Sequence, residues 1–169
     1  TATTQGYFLR RRPSARIVLL KEFDARGFAF FTNFLSRKGR ELAANPRAAL
    51  LFFWPDLERQ VHIEGAATPL DPDESAAYFS GRPRPSQLGA WASPQSEPIA
   101  GRKALETRFA AVEAQYREAS RAVPCPPHWG GYRLWPEAVE LWNEGAFRVH
   151  DRARWTRSLV ADGNDGFAA

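Results

Sequence analysis

Between Arg16 and Lys38 the chain reads RIVLLKEFDARGFAFFTNFLSRK, and this run constrains the fold more than any other. Two apolar runs, Ile17–Leu20 and Phe28–Phe31, flank Phe23-Asp24-Ala25-Arg26-Gly27, a segment rich in residues that reverse a backbone. The pattern predicts two antiparallel strands joined by a turn. Past the second strand, Ser36 is placed to cap a helix whose first turn carries Arg37 and Lys38. A helix N-terminus is positive through its free N–H groups and its dipole, so acidic side chains are favoured there and two cations oppose the helix's own preference. They make sense where an anion docks, because a phosphate would accept from the backbone N–H groups and from Arg37 and Lys38 together. A solvated basic turn is the plainer alternative.

The rest of the chain continues in short strands with helices between them. A helix over Ser36–Asn45 is stopped by Asn45-Pro46. Strands are expected over Arg47–Trp54 and Glu58–Leu70; in the second, Val61 and Ile63 alternate with Gln60, His62 and Glu64, which separates a buried face from a polar one. Asp71 opens a helix to Ser80, Gly81–Ser86 is too rich in proline to be regular, and Gln87–Ala92 forms a short helix. Arg102–Ala119 is the longest helix, with Leu105, Phe109, Val112 and Tyr116 as a core-facing stripe. After the loop Pro124–Pro127 come three strands, Gly130–Trp135, Ala138–Trp142 and Phe147–Trp155, and a frayed tail, Ser158–Ala169. Thr1–Ser14 offers an opening strand and a loop without a fixed register. No repeat or linker interrupts the 169 residues, and 44% hydrophobic content suffices for one core, so a single domain over 1–169 is expected. Its class is mainly β: an antiparallel barrel with peripheral helices.

A net charge of +4 favours anionic partners, either nucleic acid or phosphorylated small molecules. The cations are dispersed rather than gathered in one stripe, which argues against nucleic acid. No apolar run approaches the roughly 20 residues of a membrane span, and the start lacks the apolar core of a signal peptide. The single cysteine, Cys125, lies between prolines and points to a structural loop in a reducing compartment, hence a cytoplasmic protein. Metal-ligand spacing, the phosphate-binding Walker loop, the dinucleotide glycine motif and the serine-hydrolase elbow are all missing. His62 and His128 read as ordinary polar-face and loop histidines.

The segment Tyr78–Trp91, YFSGRPRPSQLGAW, gives a tyrosine at a helix end, two arginines held by prolines, and a serine just beyond. Prolines stiffen the loop, so Arg82 and Arg84 need less ordering to grip an anion, and the hydroxyls of Tyr78 and Ser86 complete a shell for phosphate oxygens. Near the end, the paired glycines of Trp129-Gly130-Gly131-Tyr132-Arg133 permit close backbone approach or a bulge. Period-two spacing in Arg148-Val149-His150 would put Arg148 and His150 on one face of a strand, aimed at one ligand.

Taken in order, these motifs resemble the pyridoxine/pyridoxamine 5′-phosphate oxidase family over roughly Arg16 to Arg152. The resemblance implies an FMN-binding split β-barrel, usually a homodimer with FMN at the subunit interface. It implies oxidation of pyridoxine 5′-phosphate or pyridoxamine 5′-phosphate to pyridoxal 5′-phosphate, with hydride passing from C4′ to the flavin N5 and O2 reoxidising the flavin to give H2O2. Residue by residue, it puts Arg16, Ile17, Val18, Leu19, Leu20, Lys21, Phe31, Thr32, Arg37, Lys38, Gln60, Gln95, Ser96, Trp142 and Arg152 at the flavin. Lys21, Tyr78, Arg82 and Ser86 would bind the substrate phosphate, and Arg148 with His150 the substrate ring. Phe31, Asn143 and Val149 stand where the family commonly has tyrosine, glutamine and leucine. The chain has no methionine, so a native start lies outside it, and the family's N-terminal substrate-contacting segment and apolar C-terminal tail find no match. Rival readings are a related flavin oxidase acting on a phenazine precursor, and a protein that binds flavin or pyridoxal phosphate without turnover.

Overall fold

The computed structural model describes residues 2–6, 13–118, 122–161 and 167–168. Its strands are β1 (Ala2–Gly6), β2 (Ser14–Val18), β3 (Glu22–Asp24), β4 (Gly27–Asn33), β5 (Arg47–Trp54), β6 (Arg59–Pro69), β7 (Trp129–Asn143), β8 (Asp151–Thr156), β9 (Val160–Ala161) and β10 (Phe167–Ala168). Its α-helices are α1 (Arg37–Ala44), α2 (Pro72–Ser80), α3 (Arg84–Ala92) and α4 (Arg102–Gln115). They form two compact units: a sheet unit of 1–30, 41–69 and 132–169, and a helical unit of 31–40 and 70–131. Among the described residues, no helix is long and apolar enough to cross a membrane.

The sheet runs β2-β1-β5-β6-β7-β4-β3, with β8 also on β7. The ladders β1–β2, β1–β5, β3–β4, β5–β6, β6–β7 and β7–β8 are all antiparallel. Its two outermost strands, β2 and β3, are consecutive in sequence and joined by Leu19-Leu20-Lys21 alone. From Val18 to Glu22 an extended chain reaches at most about 14 Å, whereas seven flat strands would hold the outer pair roughly 29 Å apart. The sheet must therefore curl until its ends nearly meet, which makes it an incomplete barrel. Phe30, Leu50, Ile63 and Leu134 fill its interior, each essentially inaccessible. The alternation of Ala48, Leu50 and Phe52 along β5 shows which face points inward.

The expected hairpin forms one step later in the chain. The Asp24 carboxylate accepts from the backbone N–H of Arg26 (2.8 Å) and of Gly27 (3.2 Å), which closes a two-residue turn at Ala25-Arg26 and makes Glu22–Asp24 the partner of Gly27–Ala29. Ile17 and Val18 instead belong to β2, paired with β1. The segments Gly130–Trp135 and Ala138–Trp142 are one strand, β7. Pro136 does not break it, because the register shifts between Glu64 and Gly65, so that Glu64 faces Ala138 and Gly65 faces Pro136 with Glu137 bulged out. Of Phe147–Trp155 only β8 is strand; Ala146–Arg148 is a 3-10 turn. Within Ser158–Ala169, β9 and β10 pair, while 162–166 lie outside the described residues.

In the helical unit, Asp71 caps α2 by accepting from the Asp73 N–H (2.7 Å), with Pro72 at the first position. Helix α3 starts earlier than the proline content of Gly81–Ser86 led one to expect. Pro85 falls in its first turn, where a missing N–H costs no intrahelical bond. The stripe on α4 reaches the core at one end only: Tyr116, the C-cap, is buried in a cluster with Phe79, Leu88, Val123 and Trp129, Phe109 and Val112 are half-buried against it, and Leu105 is 38% exposed.

Candidate functional site

Two groups of expected residues assemble inside the helical unit. Ser36 caps α1, its buried hydroxyl accepting from the Gly39 N–H (3.2 Å), and the first turn of α1 contains no acidic residue. Lys38 in that turn donates to the Thr32 hydroxyl and to the Gln95 side-chain carbonyl (3.1 Å), with Thr32 and Gln95 themselves 3.4 Å apart. The acceptors are neutral, so these bonds orient the ammonium and leave its charge intact. Arg37 is exposed at the head of the same helix. Ser96, next to Gln95, has a left-handed backbone (φ 70°). An open groove of about 670 Å³ lies beside Asn33, Arg40, Trp91, Arg108 and His128; of the expected residues only Gln95 lines it.

The second group is built on the end of α2 and the first turn of α3. Phe31 and Tyr78 stack with centroids 3.9 Å apart, and Trp129 lies parallel at 5.3 Å from Phe31. The Arg82 guanidinium rests on the Trp129 ring, 4.6 Å from its centroid, and 5.6 Å from that of Phe79. Its Nη1 is fully buried and has no hydrogen-bond partner. Burial lowers the Arg82 pKa, with Tyr78 and Cys125 acting in the opposite sense; no carboxylate takes part. Ser86 is exposed, its N–H bonded to the Pro83 carbonyl (2.8 Å). Arg84 turns away and donates to the carbonyls of Tyr116 (2.5 Å) and Glu118 (3.1 Å). Cys125 is half-buried, its thiol directed at the carbonyls of Pro126 and Trp129, and burial pushes its pKa up, which fits a structural role.

In the sheet unit, Gln60, Trp142 and Arg152 sit opposite one another on β6, β7 and β8, so they share one face in a single cross-strand row. Arg152 donates to Glu140 (2.7 Å), a buried carboxylate on β7. Arg16 is tied to Glu41 and Ser14, both at 2.7 Å. Ile17 and Leu19 are exposed and Val18 is buried, so only alternate side chains of Ile17–Leu20 are free to meet a ligand; Lys21 is exposed.

Arg148 and His150 do not lie on a strand, which corrects the period-two expectation. Phe147 (φ 58°) and Arg148 (φ 65°) are left-handed, and the turn closes so tightly that a Cβ on Gly145 would stand 1.7 Å from the Val149 carbonyl oxygen. The Gly145 N–H donates to His150 Nδ1 (3.2 Å), so a neutral ring carries its proton on Nε2. His150 packs on Trp142 with centroids 4.7 Å apart.

The family profile described as pyridoxamine 5′-phosphate oxidase matches residues 1–116, and the one described as pyridoxine 5′-phosphate oxidase C-terminal dimerisation region matches 129–167. The chain belongs to the pyridoxamine 5′-phosphate oxidase family. Its relatives include the pyridoxine/pyridoxamine 5′-phosphate oxidase of Paraburkholderia phytofirmans, 58% identical over 149 residues, or 88% of this chain and 68% of that protein. That of Rubrobacter xylanophilus is 55% identical over 157 residues, 93% of this chain and 69% of that protein. Among solved structures, PhzG from Burkholderia lata, in complex with tetrahydrophenazine-1-carboxylic acid, is 34% identical with a TM-score of 0.83, covering 97% of this chain and 77% of that one. A pyridoxamine 5′-phosphate oxidase-related, FMN binding protein from Nostoc punctiforme shares the fold at 16% identity, with a TM-score of 0.71 and coverage of 99% and 84%. The mainly antiparallel split-barrel class read from the sequence is the fold of these neighbours.

Within this oxidase family member, the motifs do not reveal what holds the expected residues in place. Glu140 sits two residues before Trp142 on the same strand face, a spacing that pairs it with Arg152. Trp129 directly precedes the paired glycines, and nothing in its own motif ties it to Arg82.

Proposed function

We propose that this chain is an FMN-dependent oxidase that converts pyridoxine 5′-phosphate or pyridoxamine 5′-phosphate to pyridoxal 5′-phosphate, with dioxygen as the final acceptor. The observation that carries the reading is Arg82, a half-buried cation with an unsatisfied Nη1, within electrostatic reach of Tyr78 and just ahead of α3, whose first turn carries Ser86. A buried donor without an acceptor is costly unless a ligand supplies one, and phosphate supplies several. Arg82, Tyr78, Ser86 and Lys21 hold the substrate phosphate in this reading, while Arg148 and His150 orient the ring. His150, its Nδ1 engaged by the Gly145 N–H, offers Nε2–H as a donor to the substrate.

The donor set around α1 fits the FMN phosphate: Lys38 braced by Thr32 and Gln95, Arg37 exposed beside it, and no acid in the turn to repel an anion. Arg16 joins this set, and Ile17, Val18, Leu19, Leu20 and Lys21, with Phe31, Gln60, Ser96, Trp142 and Arg152, line the remainder of the cofactor. When bound, FMN supplies a two-electron acceptor that dioxygen regenerates; the chain's part is to hold two phosphates and align two rings. The same reading gives a homodimer with FMN between the subunits. Phe147, Val149, Trp155 and Val160, between 57% and 99% exposed, supply apolar surface for it within the matched C-terminal region.

The likeness to PhzG keeps a second reading in view, a flavin oxidase acting on a tricyclic carboxylic acid. One experiment separates them. The purified, flavin-loaded protein is mixed without oxygen with pyridoxine 5′-phosphate, and separately with a reduced phenazine carboxylic acid, while the visible flavin band is followed. Bleaching by the phosphate ester alone, reversed by air, is the expected result. Bleaching by the phenazine alone overturns the proposal.

A further inference from the structure

We infer that Trp129 is a positioning residue for substrate phosphate: its indole face fixes the plane of the Arg82 guanidinium without using any of its N–H donors. The inference rests on the assignment of Arg82 to the phosphate and adds to it the means by which the arginine is kept ready.

A partly buried arginine is ordinarily held by a carboxylate or by main-chain carbonyls, and the same unit does this nearby, where Arg84 donates to the carbonyls of Tyr116 and Glu118. Arg82 is held otherwise. Its backbone is fixed at the end of α2 by the bond from its N–H to the Phe79 carbonyl (3.1 Å) and by Pro83 after it. Its guanidinium meets two aromatic rings, Trp129 at 4.6 Å and Phe79 at 5.6 Å. A ring face attracts the cation through its quadrupole and restrains its plane, yet accepts no conventional hydrogen bond. A carboxylate in the same place would occupy two donors and repel a phosphate. The unpartnered, buried Nη1 marks the difference.

Trp129 is itself firmly held, as a platform must be. It is 8% exposed, stacks on Phe31, meets Phe79 edge-on at 5.0 Å, and lies parallel to Tyr78 at 6.2 Å. Its backbone N–H donates to the Pro126 carbonyl (2.9 Å). The residue after it comes so close to its surroundings that a Cβ on Gly130 would stand 2.5 Å from the Phe34 ring. Phe31, Tyr78, Trp129 and Arg82 thus form one stacked assembly that joins the expected flavin residue Phe31 to the expected phosphate residues Tyr78 and Arg82.

The test compares Trp129→Leu, Trp129→Phe and Arg82→Ala in the flavin-loaded protein. KM and kcat for pyridoxine 5′-phosphate are measured, together with the equilibrium Kd of pyridoxal 5′-phosphate by equilibrium dialysis and the flavin content. Trp129→Leu removes the π face and is expected to raise KM and Kd about tenfold to thirtyfold, with kcat reduced less than about twofold and flavin retained. Trp129→Phe keeps a smaller face and is expected to raise both by about threefold. A parallel loss of kcat, flavin content and thermal stability with KM unchanged would show a merely structural tryptophan and overturn the inference. If Trp129→Leu yields no folded protein, Trp129→Phe decides alone, and an unchanged Kd overturns it. Should Arg82→Ala leave KM and Kd unchanged, the phosphate assignment itself fails; a large effect of Arg82→Ala with none from either Trp129 variant sinks only the inference.

Discussion

The helical unit holds Arg82 against aromatic rings, whereas the sheet unit holds Arg152 against the Glu140 carboxylate at 2.7 Å. Other arginines of the sheet unit also meet carboxylates, Arg133 at Asp24 and Arg154 at Glu64, while Arg157 donates to the Pro136 carbonyl (2.6 Å). A carboxylate partner fixes an arginine by cancelling its charge, while a ring fixes its plane and leaves the charge for a ligand. At Arg152 the first arrangement suits a neutral acceptor such as a ring carbonyl; at Arg82 the second leaves a full charge for a dianion. Both arginines are expected at ligands, and their surroundings assign them to different ones.

The hardest blow to this contrast would come from Arg82→Ala. Losing charge-assisted bonds to phosphate is expected to raise KM for pyridoxine 5′-phosphate about 100-fold, roughly 3 kcal/mol, with flavin still bound; loss of flavin instead would put Arg82 at the wrong ligand. Glu140→Gln sharpens the other side. It leaves Arg152 a weaker acceptor, and flavin affinity by fluorescence titration is expected to fall by up to about fivefold while KM for substrate stays within about twofold. A larger change in KM than in flavin affinity would erase the distinction.

Acid should separate the two arginines as well. The hydrogen bond from Arg152 holds the Glu140 carboxyl below its ordinary value of 4.5. The folded pKa is therefore depressed. The unfolded chain takes up this proton first, so the pair's contribution is complete above about pH 4.5 and fades as pH falls through the folded value. Acid unfolding followed by circular dichroism should show wild type and Glu140→Gln converging at the acid end; curves that stay parallel would deny the pair any such role. The smallest effect concerns Cys125. Burial raises its thiol pKa against the opposing influence of Arg82, so alkylation by iodoacetamide at pH 7.5, read by mass spectrometry, should run roughly tenfold slower than for free cysteine. A faster rate would mean that the Arg82 charge acts on the thiol more strongly than burial does.

Local chemistry made most elements legible in the sequence. Asp71-Pro72 starts α2, Asn45-Pro46 stops α1, and the Asp24–Gly27 turn is where its composition places it. The misplaced elements are those settled by a distant partner. Pro136 is tolerated in mid-strand because Gly65, far away in sequence, takes up the bulge, and Ile17–Val18 are drawn to β1 rather than to the nearer Phe28. The stripe on α4 has helical period and is covered from Phe109 to Tyr116, but periodicity carries no information about whether surface is available to cover Leu105. The site followed the same rule. Residue types and order named Thr32, Lys38, Gln95, Tyr78 and Arg82, while their bracing by Trp129 and Glu140 depends on contacts that no local spacing specifies. His150 was found by its motif and given the wrong backbone, because left-handed geometry at Phe147 and Arg148 leaves no mark in residue type.

The ladder between β6 and β7 runs from Pro69 opposite Tyr132 to Arg59 opposite Asn143, and all of 70–131 lies between the paired ends Pro69 and Tyr132. During synthesis on the ribosome, β6 must therefore emerge and wait while the entire intervening stretch is translated. For that interval its edge is an open row of N–H and C=O groups on an apolar strand, the kind of surface that recruits neighbouring nascent chains. The pace of elongation across 70–131, and the presence of a chaperone able to shield β6, bear on yield in a way that the finished protein's stability does not reveal.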